Sequence, residues 1–108
     1  MKLHNYTPHI VRIFTKDGKH IELESEGIAR VEGECKDLGE KKGIDFCEQV
    51  VTGTTGLPEK EKHNHYYIVS TMVLLNSDRK DLVAPTDYVY NQQGIIVGCR
   101  KLKTKGDM

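Results

Sequence analysis

Apolar positions along this chain fall in short runs, and Gly, Asp or Asn separates one run from the next. That pattern reads as strands joined by tight turns. Residues 9–15, HIVRIFT, carry Ile10, Val11, Ile13 and Phe14 as their apolar members; KDGK supplies an Asp-Gly pair at 17–18, and HIELE follows. Two strand-like runs around Asp-Gly are the strongest hairpin signal in the chain. A third run, GIARVEGEC, puts Ile28 and Arg30 on one face and Ala29 and Val31 on the other. KDLGEKKG at 36–43 reads as a charged turn, IDFCEQVV as a strand, and TGTTGLPEKEKHNH as a long polar loop.

Residues 66–85, YYIVSTMVLLNSDRKDLVAP, break the alternation. YYIV is strand-like. Ser70 can then cap a short helix over about 71–76, with Met72, Leu74 and Leu75 available for the core. The alternative is one continuous strand through Leu75; the helix is preferred. LVAP and DYVY are short strand candidates on either side of Pro85, NQQG is a turn, and IIVGCRKLK is a final strand. The expected fold is mostly β to α+β: a small single domain at 1–103, an antiparallel β-sheet or partly open barrel with one short helix, and a loose C-terminal tail at 104–108.

Composition narrows the classes. At 108 residues the chain makes one domain with a modest core. Sixteen basic residues balance sixteen acidic ones. Duplex nucleic acid as the main partner calls for a Lys/Arg excess, so it is not expected. Near-zero charge also removes self-repulsion and favours homo-oligomers. No apolar run approaches the roughly 20 residues of a membrane-spanning helix, and MKLHNYTPHIV is too polar for a signal peptide. Cys35, Cys47 and Cys99 are odd in number and widely spaced, with no CxxC. Reduced thiols in a cytoplasm are the simpler reading, and a disulfide framework is not expected.

Candidate chemistry is sparse. His63 and His65 would share a face on a strand, which suits a metal, but no third ligand is local and a solvated loop is the better reading. Cys47 or Cys99 with a distant His could form a nucleophilic pair; small buried hydrophobes in strands are the commoner role. Neither a metal nor a cofactor is expected, and no catalytic motif stands out. NYTPHI at 5–10 is richer. Asn5 and Thr7 can satisfy backbone groups, and Pro8 forces Thr7 to be extended. Asn5, Thr7 and His9 therefore make either a structural corner or a pocket rim. Arg30, Arg79 with Asp81, and Arg100 are each ordinary surface residues alone; together they offer three planar forks for an anion.

NYTPHIV, SEGIARVE, GLP, YIVST, DRKDLVAP and GIIVGCRKL follow one another in that order. The set resembles a family of small phage and prophage proteins over nearly the whole chain. Tyr6 stands where the family usually has Leu, Glu26-Gly27 interrupts its Ser-Gly pair, and KEKHNH lengthens the loop after GLP. Matched polar positions are Asn5, Thr7, His9, Ser25, Arg30, Ser70, Arg79, Asp81 and Arg100. By analogy of context the resemblance implies a non-catalytic protein of the host bacterial cytoplasm. It would sequester an anionic nucleotide-derived immune signal as a homo-oligomer, with Asn5, Thr7, His9, Arg30, Ser70, Arg79, Asp81 and Arg100 at the ligand. The alternatives are a protein-binding inhibitor of a host defence factor, using edge strands or the loop at 58–65, and a small hydrolase using His9 or a cysteine.

Overall fold

The computed structural model describes residues 1–59 and 64–106. Its elements are β1 (Lys2–Asn5), β2 (Val11–Phe14), β3 (His20–Leu23), β4 (Arg30–Lys41), β5 (Ile44–Thr55), β6 (His65–Ile68), α1 (Thr71–Leu75), β7 (Leu82–Tyr90) and β8 (Ile96–Lys103). Six strands form one sheet in the order β1-β6-β7-β8-β2-β3; β4 and β5 pair separately. The larger sheet curls until Asn5 bridges Ser25, just past β3. The result is a nearly closed barrel with one short helix, as the mostly-β pattern suggests. The sheet is not antiparallel throughout. β1–β6, β6–β7 and β8–β2 run parallel, while β2–β3 and β7–β8 are antiparallel.

The Asp-Gly hairpin forms as expected. Gly18 takes φ +84°, and Thr15 N–H donates to Lys19 O at 2.9 Å. The Thr15 hydroxyl and the Lys19 N–H donate to the Asp17 carboxylate and hold its pKa below the usual range.

Two apolar clusters lie on opposite sides of β6 and β7. Ile68 and Val83, Cα partners, pack with Val11, Ile13 and Cys99. Their neighbours Tyr67, Val69, Leu82 and Ala84 pack the other way, with Ala29 and with Val73 and Leu74 of α1. Burial on both faces explains why the run around YYIV lacks alternation.

Ser70 caps α1, its Oγ accepting from Val73 N–H at 3.3 Å. The inward residues are Val73 and Leu74, whereas Met72 is 56% and Leu75 64% exposed. That corrects the expectation of Met72 and Leu75 in the core. A single turn presents only one narrow stripe, and here the stripe follows the cap.

Other boundaries shift too. Pro85 lies within one continuous strand, β7. β6 pairs only as far as Val83, so no ladder bond on that side needs the N–H that proline lacks. KLHN, with no clear alternation, is β1. Lys105 ties residues 104–106 back by donating to Ser77 O, so these are not a loose tail; Asp107 and Met108 lie outside the described residues. Residues 36–41 extend β4, and 52–55 extend β5, where a turn and a loop were expected. The reversal is confined to Lys42 and Gly43, both at positive φ. Charged side chains are compatible with a strand when both faces of the ribbon are solvated.

The arm also corrects the thiol reading. Cys35 and Cys47 are joined in a disulfide, with Cα atoms 5.3 Å apart, and Cys99 is free and buried. Cys35 and Cys47 approach diagonally across the ribbon, Cys35 standing opposite Gln49 and Asp37 opposite Cys47. Strand pairing achieves this proximity, which spacing alone did not reveal.

Candidate functional site

A groove of about 670 Å³ opens where the NYTPH corner, the start of α1, β7 and β8 meet. Thr7 and His9 come from the corner and Ser70 from the helix cap; Pro8, Ile10, Pro85 and Ile96 supply apolar wall.

Asn5 shapes the corner from below. Its side chain is fully buried. The amide donates to His9 O at 2.7 Å and Leu23 O at 2.9 Å, and Oδ1 accepts from Thr7 N–H at 2.9 Å and Thr7 Oγ1 at 2.7 Å. Four bonds hold the loop that Pro8 stiffens. Asn5 is thus the structural corner of the two readings, and Thr7 and His9 reach the groove because of it. Across the groove, β2 passes close over Gly98. A Cβ there would stand 2.6 Å from the Phe14 ring and 2.9 Å from Arg12 O.

Arg12 and Tyr88 also line the groove, and neither was singled out from sequence. The polar place of Arg12 in the alternation of HIVRIFT was the available signal. Arg12 is bound to Glu22 across the hairpin, Nε–Oε1 2.8 Å and Nη2–Oε1 2.5 Å. Tyr88 donates its hydroxyl to Pro85 O at 3.2 Å.

Arg79 and Asp81 lie elsewhere. Arg79 forks onto Asp81 through Nε–Oδ1 at 2.9 Å and Nη2–Oδ2 at 2.7 Å, and Nη1 donates to Pro58 O at 2.6 Å. The guanidinium sits 5.3 Å from the Tyr67 ring centroid. Hydrogen bonding to Asp81 raises its pKa further. This is a clamp tying the loop after β5 to the turn before β7, and Asp81 is only 6% exposed. The cleft beside it, about 180 Å³, is lined by Asp78, Arg79, Lys80, Leu82, Thr104 and Lys105.

Arg30 is exposed at the root of β4. Arg100 is exposed on β8, and alternation turns it away from buried Cys99. Neither lines the groove or the cleft. The three arginines expected to converge therefore occupy three separate places on the chain: Arg30 and Arg100 are aimed by the register of β4 and β8, and Arg79 is held in the turn before β7 by Asp81 and Pro58. Ser25 donates to Gly27 O at 2.9 Å, within the connection after β3.

His65 meets a partner the sequence did not suggest. His4 Nε2 and His65 Nδ1 are 2.9 Å apart, and His4 Nδ1 lies 3.1 Å from both Glu26 carboxylate oxygens. The carboxylate accepts from Nδ1–H, so with both rings neutral His4 Nε2 accepts from His65 Nδ1–H. His63, the other half of the expected metal pair, lies outside the described residues. Among the described residues no group of three or more His, Cys, Asp or Glu is placed to hold a metal ion. No described helix is long and apolar enough to cross a membrane.

In comparisons with known proteins, no family model, no curated protein and no solved structure matches this chain.

Proposed function

We propose that this chain is a non-catalytic binding protein that sequesters an anionic nucleotide-type small molecule in the groove beside the NYTPH corner. The observation that carries the reading is the meeting of Thr7 and His9 from the corner with Ser70 from the helix cap on one apolar cavity of about 670 Å³. A few convergent polar groups on an apolar wall are what a small-molecule site needs. The flat faces of Tyr88, Pro8 and Pro85 suit a base, and the hydroxyls of Thr7 and Ser70 suit ribose or base edges. His9 and Arg12 suit a phosphate. Binding without turnover is supported by Cys99, which lines the same groove. Burial pushes its thiol pKa up, the opposite of what a nucleophile requires. The phage-family resemblance points in the same direction.

The test is mass spectrometry of small molecules released by heat from protein purified out of cells that make nucleotide signals, followed by calorimetric titration. An intact nucleotide is expected. His9→Ala and Arg12→Ala should each weaken binding by about 1.5–3 kcal/mol, the range for hydrogen bonds to charged groups. A cleaved product would replace sequestration with hydrolysis. A second reading has its own support. Ile10 is 61% and Ile96 51% exposed at the rim, which suits a host protein. Co-purification of a protein with an empty groove would favour that reading.

A further inference from the structure

The arm made by β4 and β5 leaves the chain far from compact. The radius of gyration is 16.9 Å, against about 13 Å for a compact chain of this length. The accessible surface is 7973 Å², where a folded monomer of this mass exposes about 6,100 Å². The surplus of roughly 1,900 Å² exceeds the ~800 Å² per partner of a standard interface and falls in the range of obligate homodimers. A two-stranded ribbon alone is marginal in water and gains stability from a third strand or a packed face. The surplus and the bare ribbon therefore point to the same missing cover.

The two edges of the arm differ. β4 carries seven charged residues in twelve and is bulged at Leu38, both familiar ways of blocking an edge. β5 carries two, Asp45 and Glu48, and six β-branched residues. The strand β5 itself carries no extra residue from Ile44 to Val51: of the two register shifts in the ribbon, one places its extra residue on β4 at Leu38 and the other on β5 at Thr52. Over that stretch Ile44, Phe46 and Val50 share one face with Glu48, and Ile44 is 59% and Phe46 46% exposed.

We propose that the outer edge of β5 pairs with the same edge of a second copy, antiparallel about a two-fold axis. The two arms then form one four-stranded sheet in which Ile44, Phe46 and Val50 of both copies share one face, with Glu48 of each copy among them. The pairing is isologous, so it closes at two copies and leaves no edge of this kind to propagate. Zero net charge puts no long-range repulsion between the copies. The inference does not depend on the groove reading, because copy number and ligand uptake are measured separately.

Sedimentation equilibrium over a wide range of protein concentration tests it. The wild type should run at twice 12.3 kDa. The double variant Phe46→Lys/Val50→Lys should run as a monomer with an unchanged circular dichroism spectrum. Hydrogen exchange on the wild type guards against a variant that misfolds. Amides of 44–51 should exchange more slowly in concentrated than in dilute protein, and those of 30–41 should change much less. A wild type that stays at 12.3 kDa throughout overturns the proposal, and so does a folded double variant that remains dimeric. Slowing confined to 30–41 would place the contact on the other edge and overturn it equally.

Discussion

In the barrel, Ile68, Val69 and Ala84 expose nothing to solvent; in the arm, every residue from 32 to 49 is exposed. Both regions are β-structure, yet different forces hold them. Burying a side chain such as Ile68 contributes about 1.5–3 kcal/mol. A ladder hydrogen bond facing water on both sides contributes far less, because it replaces one made to solvent. The arm adds covalent closure through Cys35–Cys47. The barrel should therefore respond steeply to changes in apolar volume, and the arm mainly to loss of its crosslink.

The largest expected effect comes from Ile68→Ala, which opens a cavity between β6 and the cluster of Val11, Ile13, Val83 and Cys99. It should cost about 4 kcal/mol. Leu38→Ala, in the arm and 63% exposed, should change stability by less than about 0.5 kcal/mol. Urea unfolding of the two variants measures the contrast directly. A Leu38→Ala loss near that of Ile68→Ala would mean that the arm packs on something as a core does.

Asn5→Ala comes next. It removes the partners of Thr7 N–H, His9 O and Leu23 O at a fully buried site. Unpaired buried polar groups of this kind should make the loss about 3 kcal/mol. Asn5→Asp keeps the Oδ1 acceptor but replaces the donating amide with an oxygen facing two carbonyls, so it should not rescue. A near-neutral Asn5→Asp in the same urea series would show that the two donated bonds carry little weight.

Reducing the disulfide, or replacing both Cys35 and Cys47 by Ser, should cost the arm about 3 kcal/mol, from the chain entropy that closing a loop over a separation of 12 residues had removed. The barrel should keep its melting temperature, because local opening of an exposed ribbon need not propagate into a separate core. Limited proteolysis shows where the loss falls: new cuts at 30–55 and none in β6 to β8.

The barrel and arm were unequally legible in the sequence. Local signals were read well: Asp17-Gly18, the Ser70 cap, the alternation of GIARV and the final strand all formed. What was missed depends on distant partners. β1 is a strand because β6 offers it an edge. The charged run 36–41 is a strand because β5 folds back beside it. At the candidate site, Thr7 and His9 line the groove, whereas Asn5 lies buried beneath the corner. The arginines did not converge: strand register, invisible in one sequence, aims Arg30 and Arg100, and the Asp81 and Pro58 partners that hold Arg79 in its turn come from the tertiary fold. The His4–His65 contact was hidden for the same reason, since parallel pairing of β1 with β6 joins residues 61 positions apart.

The smallest effect on stability, and the sharpest chemical contrast, lies in the third cysteine. The arm's two sulfurs are bonded on an exposed ribbon, whereas Cys99 is free and only 2% exposed. Desolvation by burial is the main cause that raises its thiol pKa. The fold therefore favours the protonated form. Its contribution is fully present below the ordinary thiol value and is lost as pH rises through the raised folded value. Between pH 6 and 8, below the ordinary thiol value, the ionisation of Cys99 should contribute almost nothing to the pH dependence of stability. Its thiolate fraction there should be smaller than that of a free cysteine, and alkylation slower still because the sulfur is covered. Iodoacetamide at pH 8 should leave the native, oxidised protein unlabelled and add one carbamidomethyl group per chain once urea unfolds it. Labelling of the native protein at the rate of a free thiol would show that reagent reaches the sulfur from the groove that Cys99 lines, and would move this residue from the barrel's buried class toward the arm's exposed one.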